Sequence, residues 1–256
     1  MLRRALAALW AVGTALVAVT VPSAIGVGSV GAVGAAPAPD PVVIVNGTLS
    51  PAFVTDVLAA RLRADGYRVS TFVLTDLGTG DIRRTSRDLA TFVDRVLAET
   101  GATKVDLIGH SQGGLVERQY VKAEGGAAKV DSLIMLGSPN NGTVVANLVA
   151  AFGGGDCLDF VACQQMAAGS SFLAELNAGD DTIGDVRYTS VYTVYDELAV
   201  PYRTAMLEDG ATNVLVQAQC PARFVGHLGL VLDGAVYDGI RDALRHQPIH
   251  LNCWAL

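Results

Sequence analysis

The stretch Val105-Asp106-Leu107-Ile108-Gly109-His110-Ser111-Gln112-Gly113-Gly114 constrains this chain more than any other. An apolar, strand-like run passes through Gly-His-Ser-Gln-Gly into a helix-like segment, Leu115 to Lys122. A serine in that position, flanked by Gly109 and Gly113, fits a sharp strand-to-helix turn that exposes its Oγ at a sheet edge. The two small residues let strand and helix approach closely around the strained turn.

The remaining chain supplies a sheet for such a turn. Val42-Val43-Ile44-Val45 is a continuous β-branched run, the mark of a strand buried on both faces. Further strands are expected at Arg68–Thr75, Lys104–Gly109, Val130–Leu136, Thr189–Tyr195 and Asn213–Ala218. Between them fall helical patterns. Ser50 as N-cap and Pro51 open a helix over Ala52–Ala64, with Val54, Val57, Leu58 and Leu62 on one stripe. Others are expected at Arg84–Thr100, after Ser111 to Ala123, and at Gly234–His246. This alternation implies a three-layer α/β/α domain with a mostly parallel central sheet. Ligands in such sheets sit at the carboxyl ends of strands, where Asn46-Gly47-Thr48 and Ser111 fall. The alternation fails between Pro139 and Asp185, where only short helical segments at Gln164–Ala168 and Ser171–Leu176 are expected. That stretch reads as a lid or cap-like insertion, residues 139–185, over the active face.

The N-terminus has its own character. Met1-Leu2-Arg3-Arg4 is basic, Ala5–Val21 is apolar, and small residues follow with no charge before Asp40. Residues 1–35 are expected to be a secretory signal peptide, 36–41 a proline-rich lead-in and 42–256 the catalytic domain. An uncleaved anchor is the competing reading, because the uncharged run exceeds the roughly 20 residues that span a bilayer; its glycine-rich second half favours processing. Loss of Arg3 and Arg4 leaves 16 Lys+Arg against 25 Asp+Glu, moving the formal charge from −7 to −9. An acidic surface argues against nucleic acid or anionic membranes as partners, and leaves a neutral apolar substrate open. The four cysteines of an exported chain read as two disulfides, for which the sequence allows three pairings. Cys157 and Cys163 are close enough to close a short loop; Cys220 and Cys253 would then tie the tail to the region before His227. The spacings do not match a zinc site, and no metal is expected.

A serine hydroxyl needs a base to take its proton, and the base needs a third group to hold its tautomer. His227, in the loop Phe224-Val225-Gly226-His227-Leu228-Gly229, is the candidate base. His110 is expected to point away from the serine and serve in packing or lining, while His246 and His250 fall near or in the tail, on the surface. Asp196 is the candidate acid, with Glu197 its nearest rival and then Asp209 and Asp185. The order Ser111, Asp196, His227 is the one expected for α/β-hydrolases. Oxyanion donors are expected from the main-chain N–H of Gln112 and from Thr48, through its N–H and its hydroxyl. Asn46-Gly47-Thr48 is also a glycosylation sequon, but a buried strand end is a poor place for a glycan.

Val42–Thr48, Gly109–Gly114 and Gly137-Ser138-Pro139-Asn140-Asn141-Gly142-Thr143 resemble the small bacterial class 2 lipases. Tyr195-Asp196-Glu197 with Val200-Pro201, and Asn213–Cys220 running on to His227, are also similar to yeast lipase B. The resemblance covers nearly all of the chain past the leader. It implies a secreted carboxylic-ester hydrolase of α/β-hydrolase fold, without cofactor, with Ser111, Asp196 and His227 as triad. It supports Thr48 and Gln112 as oxyanion hole and Cys220–Cys253 as a disulfide. The chain departs from that pattern in carrying Asn46 where many bacterial lipases have histidine, Gly109 where relatives have alanine or threonine, and the Cys157–Cys163 loop. The expected partner is an apolar ester or lipid, met by a monomer in transient contact with a lipid–water interface. A polyester depolymerase or an acyltransferase would share the triad; a non-catalytic cell-envelope binding protein would not use it. Val144, Val145, Leu148, Val149, Phe152, Leu198 and Val200 are candidates for an acyl or alcohol pocket or for ordinary core.

Overall fold

A computed structural model describes residues 38–144, 157 and 160–256. The expected signal segment, residues 36 and 37 of the lead-in, and the pocket candidates Val145, Leu148, Val149 and Phe152 lie outside the described residues.

Six described strands form one sheet in the order β2-β1-β3-β4-β5-β6, and every neighbouring pair is parallel. They are β1 (Val42–Val45), β2 (Val69–Phe72), β3 (Val105–His110), β4 (Val130–Leu136), β5 (Arg187–Tyr192) and β6 (Thr212–Leu215). The near-continuous apolar runs of β1, β3 and β4 follow from burial on both faces. Alternate side chains of each strand serve opposite layers. Val43, Val45, Leu107, Leu133 and Met135 pack with α2 (Ile82–Thr100), α3 (Gln112–Ala123), α4 (Val161–Met166) and α5 (Ser171–Leu176). Val42, Ile44, Ile108, Ile134 and Leu136 pack with α1 (Asp56–Ala64) and α7 (Gly234–Leu244). No described helix is long and apolar enough to cross a membrane.

The structure departs from several sequence expectations. Residues 52–55 form a 3-10 turn before α1, and Val57 faces solvent while Ala59 joins Leu58 and Leu62 in the core. Ser50 makes no side-chain cap; its Oγ is buried without a partner among the described residues. The Asn46 side chain holds that turn instead, donating to the carbonyls of Ser50 and Pro51 and accepting from the Thr55 hydroxyl. A fully buried, fully bonded Asn46 has no room for a glycan. β6 is shorter than expected and turns directly into the short helix α6 (Val216–Gln219). Within the 139–185 stretch, Phe172, Leu173 and Leu176 of α5 are core residues, and a bridge joins Thr143 to Ala167. Cys157 is bonded to Cys163, and Cys220 to Cys253.

Candidate active site

Ser111 stands between β3 and α3 with φ 56° and ψ −125°. A non-glycine residue in that region costs on the order of 1–3 kcal/mol and persists only where its surroundings enforce it. Here they do. The Ser111 N–H donates to the Leu136 carbonyl at 2.9 Å, and Gly114 N–H to the Ser111 carbonyl at 3.2 Å. Gly113 lies so close to the Val45 and Asn46 carbonyls that any side chain would collide with them. At Gly109 a Cβ would stand 2.6 Å from the Glu117 carboxylate, so the missing side chain makes room for a buried acid behind the turn. Burial holds that carboxyl well above the usual carboxylate range.

His227 is brought to the same end of the sheet by the loop after α6. Its Nδ1 lies 2.9 Å from both Asp196 carboxylate oxygens, and both side chains are almost wholly buried. Its Nε2 is buried with no hydrogen-bond partner among the described residues. Asp196 lies beyond the end of β5 on a turn of its own making: Oδ1 accepts from the main-chain N–H groups of Leu198 and Ala199 at 2.9 and 2.7 Å. Those donors aim the carboxylate at the ring. Gly137, with φ 62°, has no side chain to push them apart; a Cβ there would lie 3.0 Å from Asp196 Oδ2 and 3.2 Å from His227 Nδ1.

The rival carboxylates go elsewhere. Glu197 Oε2 accepts from the main-chain N–H of His227 at 2.9 Å, not from its ring. Asp209 belongs to an exposed acidic group with Asp180 and Asp181, and Asp185 is exposed. A second close group, Asp40, Asp106 and Asp131, has partners of its own: Lys104 and Arg187 pair with Asp131, and His246 Nε2 lies 2.7 Å from its carboxylate. Neither group lines the cavity beside Ser111.

That cavity, of about 250 Å³, is lined by Ser111, His227, His110, Gly47 and Thr48 on one side. Leu49, Val54, Met166, Leu198, Ala199 and Leu228 give it an apolar wall. Of the 139–185 stretch, the described lining residues are Pro139, Thr143 and Met166. Leu198 is thus the pocket candidate the structure places here; Val144 and Val200 are not in the lining. His110 lines the cavity, as expected, but not in the expected direction. Its ring does not point away but lies 4.8 Å from the His227 ring, with Nε2 3.1 Å from the His227 carbonyl oxygen. Burial, followed by neighbouring His227, lowers it to about 3, so it is neutral at physiological pH.

As the first residue of α3, Gln112 has a main-chain N–H without an intrahelical acceptor. Its fully buried side chain receives the Thr48 hydroxyl at 2.5 Å, so the Thr48 proton goes to Gln112 Oε1. Gly78 presses on both, since a Cβ there would lie 2.6 Å from Gln112 Oε1 and 3.2 Å from Thr48 Cα. The Leu49 N–H donates to the Leu77 carbonyl at 2.7 Å and joins the two loops. The roles of Gly78 and of the Gln112 side chain had no sequence signal beyond one glycine in a loop.

Residues 39–235 match the class 2 lipase family. A 61-residue segment is 51% identical to a triacylglycerol lipase of Pseudarthrobacter phenanthrenivorans, covering 24% of this chain and 18% of that protein. The chain therefore spans less than a fifth of the length of the curated relatives it matches. The structure superposes on Aspergillus fumigatus lipase B with a TM-score of 0.72 at 23% identity, over 82% of this chain and 53% of that one. A Bacillus licheniformis lipase in its mature form gives 0.60 at 18% identity, over 77% and 88%. At these identities the likeness is one of fold, and the fold is that of the α/β-hydrolases.

Proposed function

The chain belongs to the class 2 lipase family, and on that premise we propose that it hydrolyses carboxylic esters of lipid type through an acyl-enzyme formed on Ser111. The observation that carries the reading is the pairing of His227 Nδ1 with Asp196 while Nε2 stays unpartnered among the described residues and the ring lines the cavity beside Ser111. A base held that way has its tautomer set, with the proton on Nδ1 and the lone pair on Nε2.

His227 Nε2 takes the Ser111 proton as Oγ attacks the ester carbonyl. The charge that forms on the carbonyl oxygen is received by the main-chain N–H groups of Gln112 and Thr48, and Asp196 stabilises the imidazolium. The imidazolium then protonates the leaving alcohol, which departs and leaves the acyl group on Ser111. Water, deprotonated by His227, attacks the acyl carbon; collapse of the second intermediate returns the proton to Oγ and releases the acid. The apolar wall of Leu49, Met166, Leu198 and Leu228 suits an apolar acyl or alcohol group. The two disulfides and the basic, apolar leader support secretion.

Ser111→Ala should lower p-nitrophenyl ester hydrolysis by roughly 10⁴-fold or more while the circular dichroism spectrum is unchanged. Asp196→Asn should cost about 10³–10⁴-fold, and Glu197→Gln far less. Retention of activity by Ser111→Ala would sink the nucleophile; an inactive Glu197→Gln beside an active Asp196→Asn would move the acid by one residue.

A further inference from the structure

Two consecutive carboxylates reach His227 by different routes. Asp196 takes the ring, and Glu197, although exposed to solvent, takes the main-chain N–H at 2.9 Å. We propose that Glu197 is a positioning residue, which fixes the main chain of His227 and so sets where Nε2 lies relative to Ser111. This inference rests on the reading of His227 as the base.

The surrounding contacts show what kind of joint this is. The loop after β5 is tied to the loop that carries His227 at several points. Thr193 Oγ1 donates to the Val225 carbonyl at 2.8 Å, and Gln217 Nε2 donates to both Thr193 Oγ1 and the Arg223 carbonyl at 3.0 Å. Glu197 supplies the link at the histidine itself, through its carboxylate Oε2. The chain is shaped for that link. At Gly226 a Cβ would lie 2.8 Å from Glu197 Oε2 and 3.4 Å from Oε1, so residue 226 has no side chain where the carboxylate seats.

The geometry also explains why the two acids do not exchange roles. Asp196 Oδ1 is held by the Leu198 and Ala199 N–H groups, and Asp196 is buried while Glu197 is exposed. The orientation of the His227 ring is held by Asp196. The main chain on which that ring is mounted is held at its N–H by Glu197, while its carbonyl meets His110 Nε2 and the Leu230 N–H. A base displaced by a fraction of an ångström still binds substrate, but it transfers the proton less well. The signature of the role is therefore a fall in kcat with KM unchanged.

The test compares Glu197→Ala, Glu197→Gln, Ser111→Ala and His227→Ala on a soluble p-nitrophenyl ester, with thermal midpoints for each. Glu197→Ala is expected to lower kcat about tenfold with KM within twofold of the parent and a thermal midpoint within about 3 °C. Glu197→Gln keeps an acceptor oxygen for the His227 N–H, and is expected to recover kcat to within about threefold of the parent. The proposal is overturned if Glu197→Ala keeps kcat within twofold while Ser111→Ala and His227→Ala are inactive. It is equally overturned if Gln fails to rescue Ala, or if the loss falls in KM or follows a drop in thermal midpoint of more than about 5 °C. An active Ser111→Ala or His227→Ala would remove the triad reading and this one with it, a result distinct from failure at residue 197 alone.

Discussion

Asp106 sits at the buried start of β3, at the opposite end of that strand from Ser111, and only 4% of its surface is exposed. Its Oδ1 accepts from the Ser132 N–H at 3.1 Å. Burial, followed by the charges of Asp40 and Asp131, outweighs that bond and raises its pKa to about 7. A carboxyl raised in the folded state favours the protonated form there. Its contribution to stability is complete below the ordinary value of 3.8 and is lost as pH rises to about 7. At 1.36 kcal/mol per unit the loss is at most about 4 kcal/mol. Asp106→Asn keeps an oxygen for the Ser132 N–H and removes the titration. Its thermal midpoint should therefore exceed that of the parent at pH 8 and differ little at pH 4; an equal difference at both pH values would contradict this assignment. Burial likewise raises the Glu117 carboxyl, behind Ser111, well above its ordinary range. None of this was legible in the sequence, because an aspartate in Lys104-Val105-Asp106-Leu107 carries no mark of what closes over it. The candidate triad is different. Ser111, Asp196 and His227 were legible because each ends a strand pattern or comes after one, and strand ends converge in a parallel sheet.

At the scale of elements, β3 and α3 agree with their sequence pattern because the demands on them are local: a doubly buried strand, a glycine-flanked turn and an amphipathic helix. β6 disagrees. Asn213 to Ala218 has the composition of one strand, yet the chain leaves the sheet at Leu215, since the edge strand pairs only over Thr212–Leu215. Distant groups hold the segment beyond β6 instead. Arg223 reaches the Asp233 carboxylate at 2.7 Å and the carbonyls of Cys253 and Ala255, while Cys220 is bonded to Cys253. The tail thus clamps the segment that leads into His227. The disulfide closes a loop between residues 33 apart, and its contribution through the unfolded chain is on the order of 3–4 kcal/mol. Replacing both cysteines, Cys220→Ser with Cys253→Ser, should lower the guanidinium unfolding midpoint by the equivalent of that amount, while the folded protein keeps its ester hydrolysis at 25 °C. A midpoint that does not move would mean that the Arg223 network holds the tail alone.

Across the molecule, the three-layer arrangement leaves polar loops at one end of the sheet, where β1, β3, β4 and β5 all stop. Gly47 shows how tightly those ends converge, with a Cβ there only 3.0 Å from Ser111 Cβ. Such convergence comes from topology, which alternating strand and helix patterns reveal. The patterns do not reveal which main-chain groups the carboxylates choose. Glu197 and Asp196 are adjacent and chemically similar, yet the first meets the His227 N–H and the second its ring and the N–H groups of Leu198 and Ala199. The contact of His110 with His227 was hidden for a related reason: the sequence around a strand residue does not show which distant loop folds over it.

The central claim is that Ser111 is a nucleophile activated by His227. It is tested most directly by treating the protein with an organophosphonate ester and locating the adduct by peptide mass spectrometry. Stoichiometric labelling of Ser111 is expected, with parallel loss of ester hydrolysis, and labelling should slow by at least roughly 10³-fold in His227→Ala. Labelling at another residue, or at Ser111 with equal speed when His227 is absent, would contradict it.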